Sequence, residues 1–149
     1  MFQWKIGMTD YGDYVMETDW AVGQIMKTLD SMKISGNTLV FFTSDNGCTP
    51  FVVGKYHLEK SGHYPSYIFR GYKSDIWDGG HRIPLVVRWP GKVKAGTVSE
   101  DLVSLTDFMA TSADVLKVKL PGNAAEDSYS ILPDLKGNAK KPVRPAIVY

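Results

Sequence analysis

A single cysteine, Cys48, excludes an internal disulfide framework and leaves the redox compartment open. Charge of one sign is lacking too: 17 Lys plus Arg face 16 Asp plus Glu, a net of +1, so there is neither a basic surplus for nucleic acid nor an acidic solvating tail. No apolar run approaches the roughly 18 residues that would cross a bilayer. The opening MFQWKIGMTDYGDYVM lacks the apolar centre of a secretory signal. No nucleic acid and no membrane are therefore expected as partners. What the chain does have is a globular balance, 44% hydrophobic and 22% charged over 149 residues, which excludes disorder and a coiled coil. At that length about two thirds of the unfolded surface is buried on folding, enough for a core without staples.

Tyr14, Val15, Thr18, Val22, Ile25, Leu29 and Met32 recur at steps of three and four and predict one long helix over Asp10–Ser35. Thr9 or Asp10 is expected to cap its start and Gly36 to close it in the left-handed conformation. Met16, Met26 and Met32 are expected on the face turned to the core. Thr38–Thr43 follows as an unbroken β-branched and aromatic run, the pattern of a strand covered on both faces. A helix leading into such a strand is half of an α/β crossover, so the class is α/β with a mostly parallel central sheet and flanking helices. Pro84–Trp89 reads as a second buried strand, Asp107–Lys117 as a helix with Thr106 or Asp107 at its cap, and Leu120–Lys141 as a loop. Ala146–Tyr149 reads as a strand cut off by the end of the chain, which implies a longer natural polypeptide.

Between the two main strands, Ser44 to about Asp75 shows no periodicity but holds four tyrosines and two of the three histidines, as functional loops do. Asp45 and Asn46 stand at the carboxyl end of the first strand, where α/β sheets gather ligands. A carboxylate oxygen beside an amide oxygen suits a hard divalent cation; equally, Asp45-Asn46-Gly47 is a good plain turn. Lys73 offers a compact positive charge to a tetrahedral anion, or is simply a solvated lysine before a turn. His57 and His63 either donate to a leaving oxygen at a substrate entrance or are exposed loop histidines.

In order along the chain, Asn37-Thr38-Leu39-Val40, Thr43-Ser44-Asp45-Asn46-Gly47, Arg70-Gly71-Tyr72-Lys73, Trp77-Asp78-Gly79-Gly80-His81-Arg82-Ile83-Pro84 and Trp89-Pro90-Gly91 resemble the type I sulfatases, the arylsulfatase family. Ser130-Ile131-Leu132-Pro133-Asp134-Leu135-Lys136-Gly137 is similar to a later segment of the same family. The resemblance implies an alkaline-phosphatase-like sandwich of which residues 1–149 form the later part. It implies Asp45 and Asn46 as Ca²⁺ ligands, completed by acidic residues earlier in the parent protein, and Lys73 as the catalytic residue that holds a sulfate oxygen. It also implies a formylglycine hydrate as the nucleophile. That group is made from a Cys/Ser-x-Pro-x-Arg motif, and Cys48-Thr49-Pro50-Phe51-Val52 has valine for the arginine, so Cys48 is expected to be an ordinary thiol.

The parent is expected to hydrolyse a sulfate ester of a sugar or an aryl alcohol and to be exported to the periplasm, the exterior or the lysosome. This stretch alone is expected to be inactive and, with an open sheet edge and apolar face, to form homo-oligomers. Two other functions fit the pattern: a phosphatase, phosphodiesterase or phosphonate hydrolase of the same superfamily, and a non-catalytic oligomerising module that keeps the fold.

Overall fold

The computed structural model describes residues 9–148. The chain divides into two compact units, Met1–Val87 and Arg88–Tyr149.

In the first unit, helix α1 spans Asp10–Ser31. Thr9 caps it, its Oγ1 accepting from the Gly12 N–H at 3.2 Å, and Asp10 and Asp13 place negative charge in the first turn, where the helix dipole favours it. The helix stops four residues before the expected end. Lys33, not Gly36, takes the left-handed conformation, at φ 59°. Its N–H donates to Asp30 O at 3.0 Å, and the next N–H, from Ile34, reaches back to Leu29 O at 3.1 Å. This paired closure satisfies the last carbonyls and outweighs the modest strain of a side chain at positive φ. Gly36 lies instead in a 3₁₀ turn, Ser35–Asn37. The apolar stripe of α1 is largely open to water: Tyr14, Val15, Ile25 and Met32 are exposed, as is Trp20, so Met32 does not face a core.

Strand β1, Val40–Thr43, and strand β2, Leu85–Arg88, pair in a two-stranded sheet. Both fall inside the predicted runs, but neither is covered on both faces, since Phe42 and Val86 are exposed. Two strands cannot bury two faces by themselves. The segment expected to be irregular contains helix α2, Pro50–Tyr56, with Pro50 in its first turn and His57 closing it at φ 49°. Val53 of α2 and Leu58 just beyond it form the small apolar centre of this unit. Helix α3, Asp78–His81, is one turn built on Gly79 and Gly80, both buried.

The second unit packs helix α4, Asp107–Leu116, against helix α5, Leu132–Leu135. Lys117, at φ 56°, ends α4 as Lys33 ends α1, with Val118 N–H donating to Ala113 O at 2.9 Å. Ile131 and Leu132 supply the buried apolar side chains. At the centre lies Asp107, fully buried, which accepts from the Ser104 N–H at 2.8 Å and the Tyr129 N–H at 2.9 Å and is paired with Arg144. Thr111, also fully buried, receives the Ile131 N–H at 3.1 Å. Asp107 is therefore no mere helix cap. Ala146–Val148 is not a strand, and Tyr149 lies outside the described residues.

Candidate functional site

The turn after β1 is held by its own polar groups. Ser44 Oγ donates to Asn46 O at 2.9 Å, and Asn46 Nδ2 donates to Gly47 O at 3.0 Å. That second bond occupies the amide nitrogen and leaves Oδ1, the atom a hard cation would take, outside it. Asp45 is exposed beside it. The donor set, one carboxylate and one amide oxygen, fits Ca²⁺ in kind. It is incomplete in number, because no group of three or more acidic, His or Cys side chains converges among the described residues.

Three distant segments meet at this turn through their backbones. Gly47 N–H donates to Gly80 O, Lys73 N–H to Cys48 O and Gly79 N–H to Arg70 O, each at 2.8 Å. The approach is possible only with glycine. A Cβ on Gly47 would stand 1.8 Å from Gly79 O, one on Gly79 2.1 Å from Gly71 O, and one on Gly80 2.3 Å from Asp75 O. Lys73, itself exposed, is thus tied two residues past Asn46. On one side of it Tyr72 donates its N–H to Asp75 Oδ2 at 2.9 Å and its hydroxyl to Glu59. On the other, Ser74 takes φ 76°. The Glu59 carboxylate pushes the Tyr72 phenol up to about 12.

Cys48 is half-buried and free of any disulfide. Burial pushes its thiol up, against hydrogen bonds with Tyr11 and the Thr49 backbone that pull it down, so at neutral pH it is a protonated thiol and a poor nucleophile. Burial, and then the Cys48 thiol, also raises Tyr11. The Tyr11 ring lies 6.4 Å from that of half-buried His63, which places His63 one side chain away from the segment of Asp45 and Asn46. His57 is exposed at the end of α2, and no contact among the described residues joins its side chain to the turn.

Sequence reasoning singled out Asp45, Asn46 and Lys73 but missed Tyr11, Tyr72, Glu59 and the part played by Gly47. Only the Gly79-Gly80 pair carried a readable signal, that of close backbone approach.

The sulfatase family model matches residues 7–118. The chain is 41% identical over 140 residues to an N-acetylgalactosamine-6-O-sulfatase of Bacteroides thetaiotaomicron, covering 91% of this chain and 27% of that protein. It is 37% identical over 131 residues to the steryl-sulfatase of Mus musculus, covering 88% and 21%. A solved structure from work on the metabolism of multiple glycosaminoglycans by B. thetaiotaomicron superimposes with a TM-score of 0.84 at 40% identity, over 93% of this chain and 29% of the other. The PsFucS1 sulfatase from Pseudoalteromonas sp. gives 0.71 at 32%, over 89% and 25%. The chain thus spans about a quarter of the length of the relatives it matches, and by both sequence and fold it belongs to the sulfatase family.

Proposed function

We propose that these residues supply the later part of the active site of a sulfate-ester hydrolase. Asp45 Oδ and Asn46 Oδ1 take two coordination positions of a Ca²⁺ whose remaining ligands come from earlier in the complete protein. Such an ion would supply Lewis-acid polarisation of the sulfate, and the family's formylglycine nucleophile would come from earlier in the complete protein. Lys73 neutralises a second sulfate oxygen through its ammonium group, and the glycine-locked backbone fixes the base of its side chain. His63, beside Tyr11, donates to the leaving oxygen, and His57 takes a place at the entrance. The substrate class is a sulfated sugar, for which exposed Tyr64, Tyr67 and Trp77 offer ring faces. The complete fold is an alkaline-phosphatase-like sandwich with a mostly parallel central sheet, in an exported parent protein.

One observation carries this function: the 2.8 Å bond from Lys73 N–H to Cys48 O, which joins the cationic segment to the cation-binding turn. Among the described residues no helix is long and apolar enough to cross a membrane. The exposed apolar side chains of α1 support self-association of this stretch when it is produced alone. The test uses the complete polypeptide with phenyl sulfate and phenyl phosphate. Sulfate turnover is expected to dominate, Lys73→Ala to lower kcat/KM by about 10²- to 10³-fold, and Asp45→Ala to weaken Ca²⁺ binding measured by calorimetry. Preferred turnover of the phosphate would move the assignment to the phosphatase branch.

A further inference from the structure

We propose that Arg70 and Trp77 form a subsite for a second anionic group of the substrate, a carboxylate or a further sulfate on the sugar next to the one that bears the scissile ester. This rests on the sulfate-ester function above. Arg70 Cζ lies 3.9 Å from the centre of the Trp77 ring, so the guanidinium rests on the indole and its N–H edge remains available to a planar or tetrahedral anion. Both side chains are exposed. Two other arginines are paired with carboxylates: Arg82, over Phe69 at 4.4 Å, is met by Asp78 at 3.5 Å, and buried Arg144 is met by Asp107. No carboxylate pairs with Arg70 among the described residues. Asp75, close in sequence, is turned to the Tyr72 N–H. Among the described residues Arg70 is a positive charge stacked on an indole and in ion-pair contact with no carboxylate.

Its position relative to Lys73 is set by the same backbone lock. Arg70 O accepts from Gly79 N–H, and the neighbouring Gly80 O accepts from Gly47 N–H, so Arg70 stands two backbone hydrogen bonds from the cation-binding turn. A Cβ on Gly71, at φ 87°, would stand 3.0 Å from both Trp77 Cβ and Asp75 Oδ2, so the Trp77 side chain starts beside the Arg70-Gly71 backbone. A cation held rigid in this way loses little side-chain freedom on binding, the condition under which an exposed charge contributes measurably to affinity.

The test compares the complete polypeptide, its Arg70→Ala and its Arg70→Lys variants on three sulfated hexosamine disaccharides: one with a uronate neighbour, the same molecule with the carboxyl reduced to an alcohol, and the reduced molecule with a sulfate on the neighbouring ring. Arg70→Ala is expected to raise KM about tenfold on the anionic pair, to leave the reduced compound within about twofold, and to leave kcat unchanged on all three; lysine, lacking the planar fork, restores part of the loss. The anionic compound that loses more identifies the group bound. An equal rise on all three, or none, overturns the subsite. Binding of the unsulfated uronate disaccharide, followed by NMR, separates this claim from the hydrolase assignment. About tenfold weaker binding to Arg70→Ala sustains the subsite even if no sulfate ester is cleaved, and equal binding refutes it.

Discussion

The two units of the chain are held by opposite means. In Arg88–Tyr149 side chains do the fastening: Asp107 gathers two backbone N–H groups and Arg144, while Thr111 and Ser128 take the N–H groups of Ile131 and Ala110. In Met1–Val87 the segments around Gly47 are joined to one another chiefly through backbone, with Gly47, Gly79 and Gly80 interlocked and few side chains buried. The lock engages Lys73 and Arg70 through their backbones only, so the exposed side chains of Asp45, Lys73 and Arg70 take no part in it. The second unit commits Asp107 and Arg144 to its own interior, where a paired and hydrogen-bonded ion pair is tolerated.

The sharpest way to break this contrast is to remove the buried carboxylate. Asp107→Ala leaves Arg144 charged in a dry interior and two N–H groups without acceptors, so the second unit is expected to lose about 3–5 kcal/mol in urea unfolding. Asp107→Leu combined with Arg144→Met, which removes both charges, is expected to recover a large part of it. If the single substitution costs under about 1 kcal/mol, the pair does not fasten the unit.

The corresponding blow to the first unit is smaller. Gly47→Ala drives a methyl against Gly79 O at 1.8 Å, and the backbone must move, at a cost of about 1–3 kcal/mol. Gly23→Ala, in α1 with nothing within 4 Å of its Cβ, should change stability with the opposite sign, a gain of about 0.5–1 kcal/mol from helix propensity. Equal effects from the two glycines would show that conformational entropy, not the interlock, governs Gly47.

Much of this architecture is legible in the sequence because its signals are local. The stripe from Tyr14 to Met32, the runs around Val40–Thr43 and Leu85–Arg88, and the α4 periodicity each fall on the observed element. The polar turn at Asp45-Asn46 follows the first strand as its Ser-Asp-Asn-Gly composition leads one to expect. Helix α2 is hidden because Pro50–Tyr56 mixes adjacent valines with a glycine in too short a span to show a period, leaving Pro50 as its lone cue. The end of α1 is misread because a lysine takes the left-handed place that glycine normally fills. Coverage of the strands is overestimated because an apolar run reports the neighbours a strand evolved beside, and only one other strand is present among the described residues. Asp107 gives no hint of its anchoring part, since its partner Arg144 is 37 residues away and nothing local announces the pair.

The gentlest probe of the contrast is pH, because one side chain does help to steady the backbone-held site. Tyr72, next to Lys73, donates its hydroxyl to Glu59, and that carboxylate lifts the phenol from the ordinary 10.0 to about 12. The folded state favours the protonated phenol. Whatever the contact contributes is therefore fully present below pH 10 and fades as the pH climbs through 12. The exposure of the pair keeps the effect on stability small, so a spectroscopic titration is the better readout. The difference in phenolate absorbance between the protein and its Tyr72→Phe variant should rise near pH 12. In a Glu59→Gln background the same difference should rise at clearly lower pH, since a neutral amide neither repels the phenolate nor demands its proton. If the Tyr72 difference already rises near 10 with Glu59 in place, the contact does not persist in solution, and Lys73 is positioned by its bond to Cys48 O without help from the side chain before it.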